Sequence, residues 1–183
     1  MSKQEAPFHY VCTLDQAEAI INRHKKFWVS NCGCREQRKN RCKRSPIDVC
    51  LYFNDTFGST GSGFRRSSRR KAQAILAIAR RTKLVARPYP NPERKRPLEG
   101  ICFCCDDCCG YFLDPKAKCA KGKDIENTDR KQCTACGACV KVCFFGARLV
   151  YRKKLKLNRR RCYGCGLCVD VCPKAAIKMQ LTR

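Results

Sequence analysis

Two stretches of this chain repeat each other, CTACGACVKVCFFGA from Cys133 and CYGCGLCVDVCPKAA from Cys162. They share every cysteine, and Gly137 matches Gly166, Val140 matches Val169, Val142 matches Val171 and Ala147 matches Ala176. Each reads C-x2-C-x2-C-x3-C, so the C-terminal third is an internal duplication. Three thiolates two residues apart lie on a tight loop that can wrap three corners of an iron–sulfur cube, with the fourth held on a following helical turn. Zinc also takes four thiolates, but usually from two separated C-x2-C pairs rather than an uninterrupted triple used twice. Disulfides fit worse, because three cysteines at this spacing are hard to bridge without strain.

The pattern resembles the bacterial and archaeal ferredoxins with two 4Fe-4S clusters, over roughly the last 55 residues. In that family the fourth cysteine of each run serves the other cluster. The resemblance therefore implies that Cys133, Cys136 and Cys139 with Cys172 hold one [4Fe-4S] cluster, and that Cys162, Cys165 and Cys168 with Cys143 hold the other. Such an exchange ties the two halves together through iron and stabilises a domain too small for a secure core. RLVY and LKLN, flanking residues 152–154, are expected to form an antiparallel hairpin, and AIKM to pair with residues just before Cys133. One position departs from the family pattern. Pro173 follows the last ligand, but Phe144 stands in the corresponding place after Cys143, which implies altered packing around the second cube and hence an altered potential.

Nineteen cysteines are far above ordinary usage, and eleven lie outside the repeat. Cys32, Cys34, Cys42 and Cys50 form C-x-C-x7-C-x7-C, and ICFCCDDCCG carries Cys102, Cys104, Cys105, Cys108 and Cys109, with Cys119 beyond it. Together they resemble the cysteine-rich module found ahead of ferredoxin domains in some multi-cluster proteins. Adjacent side chains such as Cys104 and Cys105 diverge, so one Cys-Cys pair can serve two centres. The expectation is that Cys32, Cys34, Cys42 and Cys50 join some of the six later thiols in one or two further clusters, with structural zinc as the alternative. Cys108-Cys109-Gly110 is similar to a fragment of the CCG motif of heterodisulfide-reductase-type subunits, but Cys133 and Cys136 do not reproduce that motif's long spacing to a later C-x2-C pair. Cys12 is expected to be a small buried residue, and Asp106 and Asp107 to be exposed.

The remaining segments read as mixed α and β. TLDQAEAII starts a helix, because Thr13 can cap it while Gln16 closes a capping box. FWVSN, residues 27–31, is β-prone. GSTGSG, residues 58–63, reads as a flexible loop, since no P-loop Lys-Ser or Lys-Thr follows Gly63. The segment 67–81 carries Ala72, Ile75, Leu76 and Ala79 at the spacing of one buried helical stripe, with Arg69, Arg70 and Lys71 at an N-terminus whose dipole disfavours them. ARPYPNPERKRP, residues 86–97, reads as an extended linker. The fold class is thus α+β, with an N-terminal cysteine-rich module over 1–85, a linker and cysteine-dense segment over 86–125, and a ferredoxin-type domain over 126–183.

Forty basic residues against 15 acidic ones leave a formal charge of +25, concentrated in residues 55–100 and 129–183. Two clusters of about two net negative charges each offset little of it. Such a surface suits an acidic redox protein or a larger oxidoreductase complex, and would steer it by charge. Nucleic acid is less favoured, because the Arg-rich runs at 65–71 and 159–161 lack interleaved aromatics. Residues 1–30 show no basic start followed by an apolar run, and no segment approaches a membrane span, so a reduced, cytoplasmic protein is expected. His9 and His24 stand near no acid–base or nucleophile constellation and are expected to face solvent. No small-molecule substrate is evident, and the chain is not expected to be an enzyme on its own. A one-electron carrier or the electron-relay subunit of an oxidoreductase is the leading reading. An electron-donating activator of another metalloenzyme and a basic nucleic-acid-binding or assembly protein with structural metal are the alternatives.

Overall fold

The computed structural model describes residues 9–38, 42–55, 61–90, 98–114, 117 and 119–182. Helix α1 (Leu14–Arg23) begins where the sequence places it. Thr13 Oγ1 accepts the Gln16 N–H at 3.1 Å and Gln16 Oε1 accepts the Thr13 N–H at 3.0 Å, which satisfies two otherwise orphaned donors. Thr13→Ala is expected to cost about 1 kcal/mol, measurable by chemical denaturation.

Strand β1 (Phe27–Ser30), the short helix α2 (Gly33–Gln37), β2 (Cys50–Tyr52), β3 (Arg65–Ser67), helix α3 (Arg69–Thr82), β4 (Val85–Tyr89) and β5 (Gly100–Cys104) follow. The strands make one antiparallel sheet in the order β3-β1-β2-β5-β4. Leu14, Ala17 and Ile21 of α1, and Ala72, Ile75, Leu76 and Ala79 of α3, are buried in one core with Phe27, Val29, Leu51, Ile101 and Phe103. Strand periodicity sends the alternate residues to the other face, where Trp28, Cys50, Tyr52 and Tyr89 form a second cluster with Cys32 and Cys102 against it. The spelling C-L-Y and I-C-F-C therefore assembles thiols on the face away from the helices.

Two expectations need correcting. Residues 86–89, read from their prolines as linker, instead belong to β4. This is an edge strand, and Pro88 takes a position whose carbonyl points outward to the Tyr10 N–H, so its missing N–H costs the sheet no ladder bond. Residues 91–97 of that run, and 58–60 of the Gly-rich loop, lie outside the described residues. The basic start of α3 is offset within the chain. Arg69 donates to the carbonyls of Ile21, Asn22 and His24 at the C-terminal end of α1, and Lys71 reaches Asp48 at 2.7 Å. These charges need no external anion.

After α4 (Gly110–Leu113), the chain enters its C-terminal unit. Strand β7 (Arg148–Tyr151) pairs with β8 (Lys154–Leu157) as the expected antiparallel hairpin, and β6 (Asp124–Thr128) pairs with the final β9 (Ile177–Leu181), also antiparallel. The β7–β8 turn is made by Arg152 and Lys153, both at positive φ. Helices α5 (Ala138–Lys141) and α6 (Leu167–Asp170) occupy equivalent places in the two repeats. Among the described residues no helix is long and apolar enough to cross a membrane.

Candidate metal centres

The duplication is reproduced in the backbone. Gly137 and Gly166 precede α5 and α6 at φ +82° and +76°, a conformation open to glycine at little cost. Ala135 matches Gly164, and Gly146 matches Ala175, at positive φ. These turns point the thiols of each run inward. One cavity is lined by Cys133, Cys136, Cys139 and Cys172, and a second by Cys143, Cys162, Cys165 and Cys168. The last cysteine of each repeat thus faces the loop of the other. Cys143 Sγ accepts the Ala147 N–H and Cys172 Sγ the Ala176 N–H, each at 3.3 Å, so the pseudo-symmetry extends to the sulfur hydrogen bonds.

Residues 132–177 match the family model of the 4Fe-4S dicluster domain. No curated protein matches the chain. A dicluster domain implies two 4Fe-4S clusters, and the donors fit, since each cavity presents four sulfurs. Burial pushes the Cys165 and Cys168 thiols up to about 12, so metal binding must displace their protons. Arg148 is buried beside both sites. It donates to Cys139 Sγ at 3.6 Å and lines the second cavity, while Glu126 holds it at 2.6 Å and also takes Arg159 at 3.2 Å. Burial opposes the Arg148 charge, but Cys168 and Glu126 carry its pKa upward.

The N-terminal thiols separate into two groups. Beneath the sheet lies a cavity of about 410 Å³ lined by Cys32, Cys34, Cys50, Cys102, Cys104 and Cys109. Side-chain hydrogen bonds run from Cys102 to Cys50, Cys32, Cys34, Cys109 and Cys104 in turn. Such a row cannot ionise evenly. Hydrogen bonds from Cys109 and Cys32 hold Cys34 far below the usual thiol range, while the bond to Cys34 raises Cys32 to about 12. Cys102 is lowered, chiefly by Cys50. Arg87 enters this cavity because β4 and β5 pair it with Cys102. Its Nε meets Cys119 at 3.4 Å, its Nη1 meets Cys109 at 3.6 Å and Cys104 at 3.7 Å, and its guanidinium covers Tyr111.

The second group is Cys42, Cys105 and Cys108 with Asp107. Adjacent thiols do diverge. Cys104 and Cys109 turn to the cavity, Cys105 turns to Cys42, and Cys108 borders both. Cys12 is buried apart from these groups, and burial drives its thiol up to about 12.

Several residues stand where sequence reasoning did not put them. His9 lines the cavity with Nε2 3.6 Å from Cys102 Sγ, rather than facing solvent. His24 stacks on Phe53 and bonds the Ile20 carbonyl. Asp106 pairs with Arg44, and Asp107, though exposed, turns its carboxylate to Cys42 and the Lys43 N–H. Arg35, Arg87 and Arg148 are buried against thiols. The one available signal was Arg35 directly following Cys34. Phe144, the departure from the repeat, packs edge-on against Phe112 and under Arg44, and Phe145 stacks on Tyr163 at 4.4 Å. The residue that departs from the repeat thus lies where Phe144 and Phe145 pack against Arg44, Tyr111 and Phe112.

Proposed function

We propose that the chain is an electron carrier or the electron-relay subunit of an oxidoreductase, with no substrate chemistry of its own. The observation that carries this reading is the pair of four-thiol cavities in one small unit, one of them reaching the surface at exposed Cys136. Cubes ligated by thiolates change oxidation state with little rearrangement, so two close ones conduct. Cys133, Cys136, Cys139 and Cys172 hold the outer cluster, and Cys143, Cys162, Cys165 and Cys168 the inner one. A third cluster fills the N-terminal cavity, drawing its ligands from the row between Cys102 and Cys104. Buried Arg87 supports this, because a guanidinium enclosed by thiols is stable only if they carry negative charge, as metal-bound thiolates do.

Exposed Arg130, Lys131 and Lys174 neighbour the outer cluster in sequence, and Arg152, Lys153 and Lys154 form an exposed hairpin tip. This surface selects an acidic redox partner. The test is anaerobic reduction of the holoprotein followed by exchange with an acidic electron acceptor. Reversible one-electron steps are expected, with a rate that falls as salt shortens the Debye length from about 10 Å at 0.1 M towards 3 Å at 1 M. A chain that accepts no electrons contradicts the function, and a salt-independent rate contradicts the steering.

A further inference from the structure

We propose that Cys42, Cys105, Asp107 and Cys108 bind a single zinc ion, separate from the iron–sulfur groups. The four donor atoms all lie within 4.8 Å of one another. Cys105 and Cys108 sulfurs are 3.0 Å apart, Cys42 and Cys105 sulfurs 3.5 Å, and the Cys42 sulfur is 3.7 Å from Asp107 Oδ1. A tetrahedral zinc with Zn–S bonds of about 2.3 Å puts its sulfurs roughly 3.8 Å apart, so the set needs only small adjustment to close on one ion. A cube makes the opposite demand. Each of its thiolates caps a different iron, so the donors must stand apart. The chain contains its own comparison, because no three of the eight dicluster cysteines come mutually within 4.8 Å. That set is spaced for a larger group and this one is not.

The surroundings complete the site. The Lys43 N–H donates to Asp107 Oδ2 at 3.1 Å, leaving Oδ1 for the ion, and Arg35 Nη2 approaches Cys105 Sγ at 3.6 Å. Three thiolates and a carboxylate around Zn²⁺ carry two net negative charges, which the buried Arg35 guanidinium partly balances. Its Nε and Nη1 find no hydrogen-bond partner among the described residues. Loading releases the three thiol protons to solvent. The bound ion staples the segment after α2 to the turn between β5 and α4, and so fixes the two arms that supply the cavity thiols. It also holds Arg44, two residues beyond Cys42, over Phe144 of the dicluster domain.

The test is elemental analysis of the full holoprotein, produced anaerobically with both iron and zinc supplied. One zinc per chain is expected beside the iron. Cys42→Ser, outside the cavity lining, should abolish the zinc and leave the iron count unchanged. Asp107→Asn, at an exposed position that disturbs no core, should release zinc to a chelator about tenfold faster, and Asp107→Cys should release it more slowly. Zinc-free wild-type protein, zinc retained by Cys42→Ser, or a loss of about four irons from that variant would each overturn the proposal. So would a Cys105–Cys108 disulfide in the isolated protein. None of these outcomes bears on the two dicluster cubes.

Discussion

Changing Cys139 to alanine is expected to unfold residues 124–182 as a unit and so to remove about eight irons from the chain, four from its own cube and four from the other. The size of the effect follows from how little else holds this region. The buried apolar side chains of its own core are Leu155 and Ile177, packed against Cys139 and Cys168, while Leu167 packs into the larger core instead. So few contacts do not offset the conformational entropy of some sixty ordered residues, and the clusters must supply the difference. Because Cys143 and Cys172 each face the opposite repeat, losing one cube also frees a strut of the other. Iron analysis together with circular dichroism measures both effects. Cys12→Ala is the control: equally buried but remote from the thiol groups, it should leave the iron content unchanged.

The second large effect is expected at Glu126. Its carboxylate holds Arg148 at 2.6 Å with both side chains almost wholly buried, and Thr128 adds a bond at 3.1 Å. Glu126→Ala leaves the buried guanidinium without its carboxylate, held only by Thr128 and Cys139 Sγ, at a cost of about 3 kcal/mol in chemical denaturation. It also exposes the adjoining cubes to uncompensated positive charge, which favours the reduced state. Their potentials should therefore rise, and Arg148→Met should lower them, by about 60 mV if the one-electron equilibrium shifts tenfold. Potentiometric titration of the two variants distinguishes the electrostatic effect from general loosening, because loosening would not move the potentials in opposite directions.

Local features were legible in the sequence where the determining residues are close together. The capping box of Thr13 and Gln16, the hairpin around residues 152–154, and the two cysteine loops each depend on neighbours within a few positions. The repeat went further. It specified a symmetry that recurs in paired backbone turns and in matching N–H to sulfur bonds. What stayed hidden depends on strand register and on side chains brought together from distant segments. Pro88 disguised an edge strand as linker, and only the pairing of β4 with β5 puts Arg87 opposite Cys102. Asp107 looked like one of two solvated acids until the chain folded Cys42 against it. Formal charge misled in the same way, because counting Arg69 as surplus ignores the helix end it caps.

The most direct test is the iron and acid-labile sulfide content of anaerobically purified chain, with electron paramagnetic resonance of the reduced protein. About twelve of each per chain are expected, eight from the dicluster domain and four from the N-terminal cavity, with spectra of reduced 4Fe-4S centres. About eight of each would remove the third cluster and leave the dicluster domain standing. Colourless protein without sulfide, its cysteine quartets filled by zinc, would contradict the account.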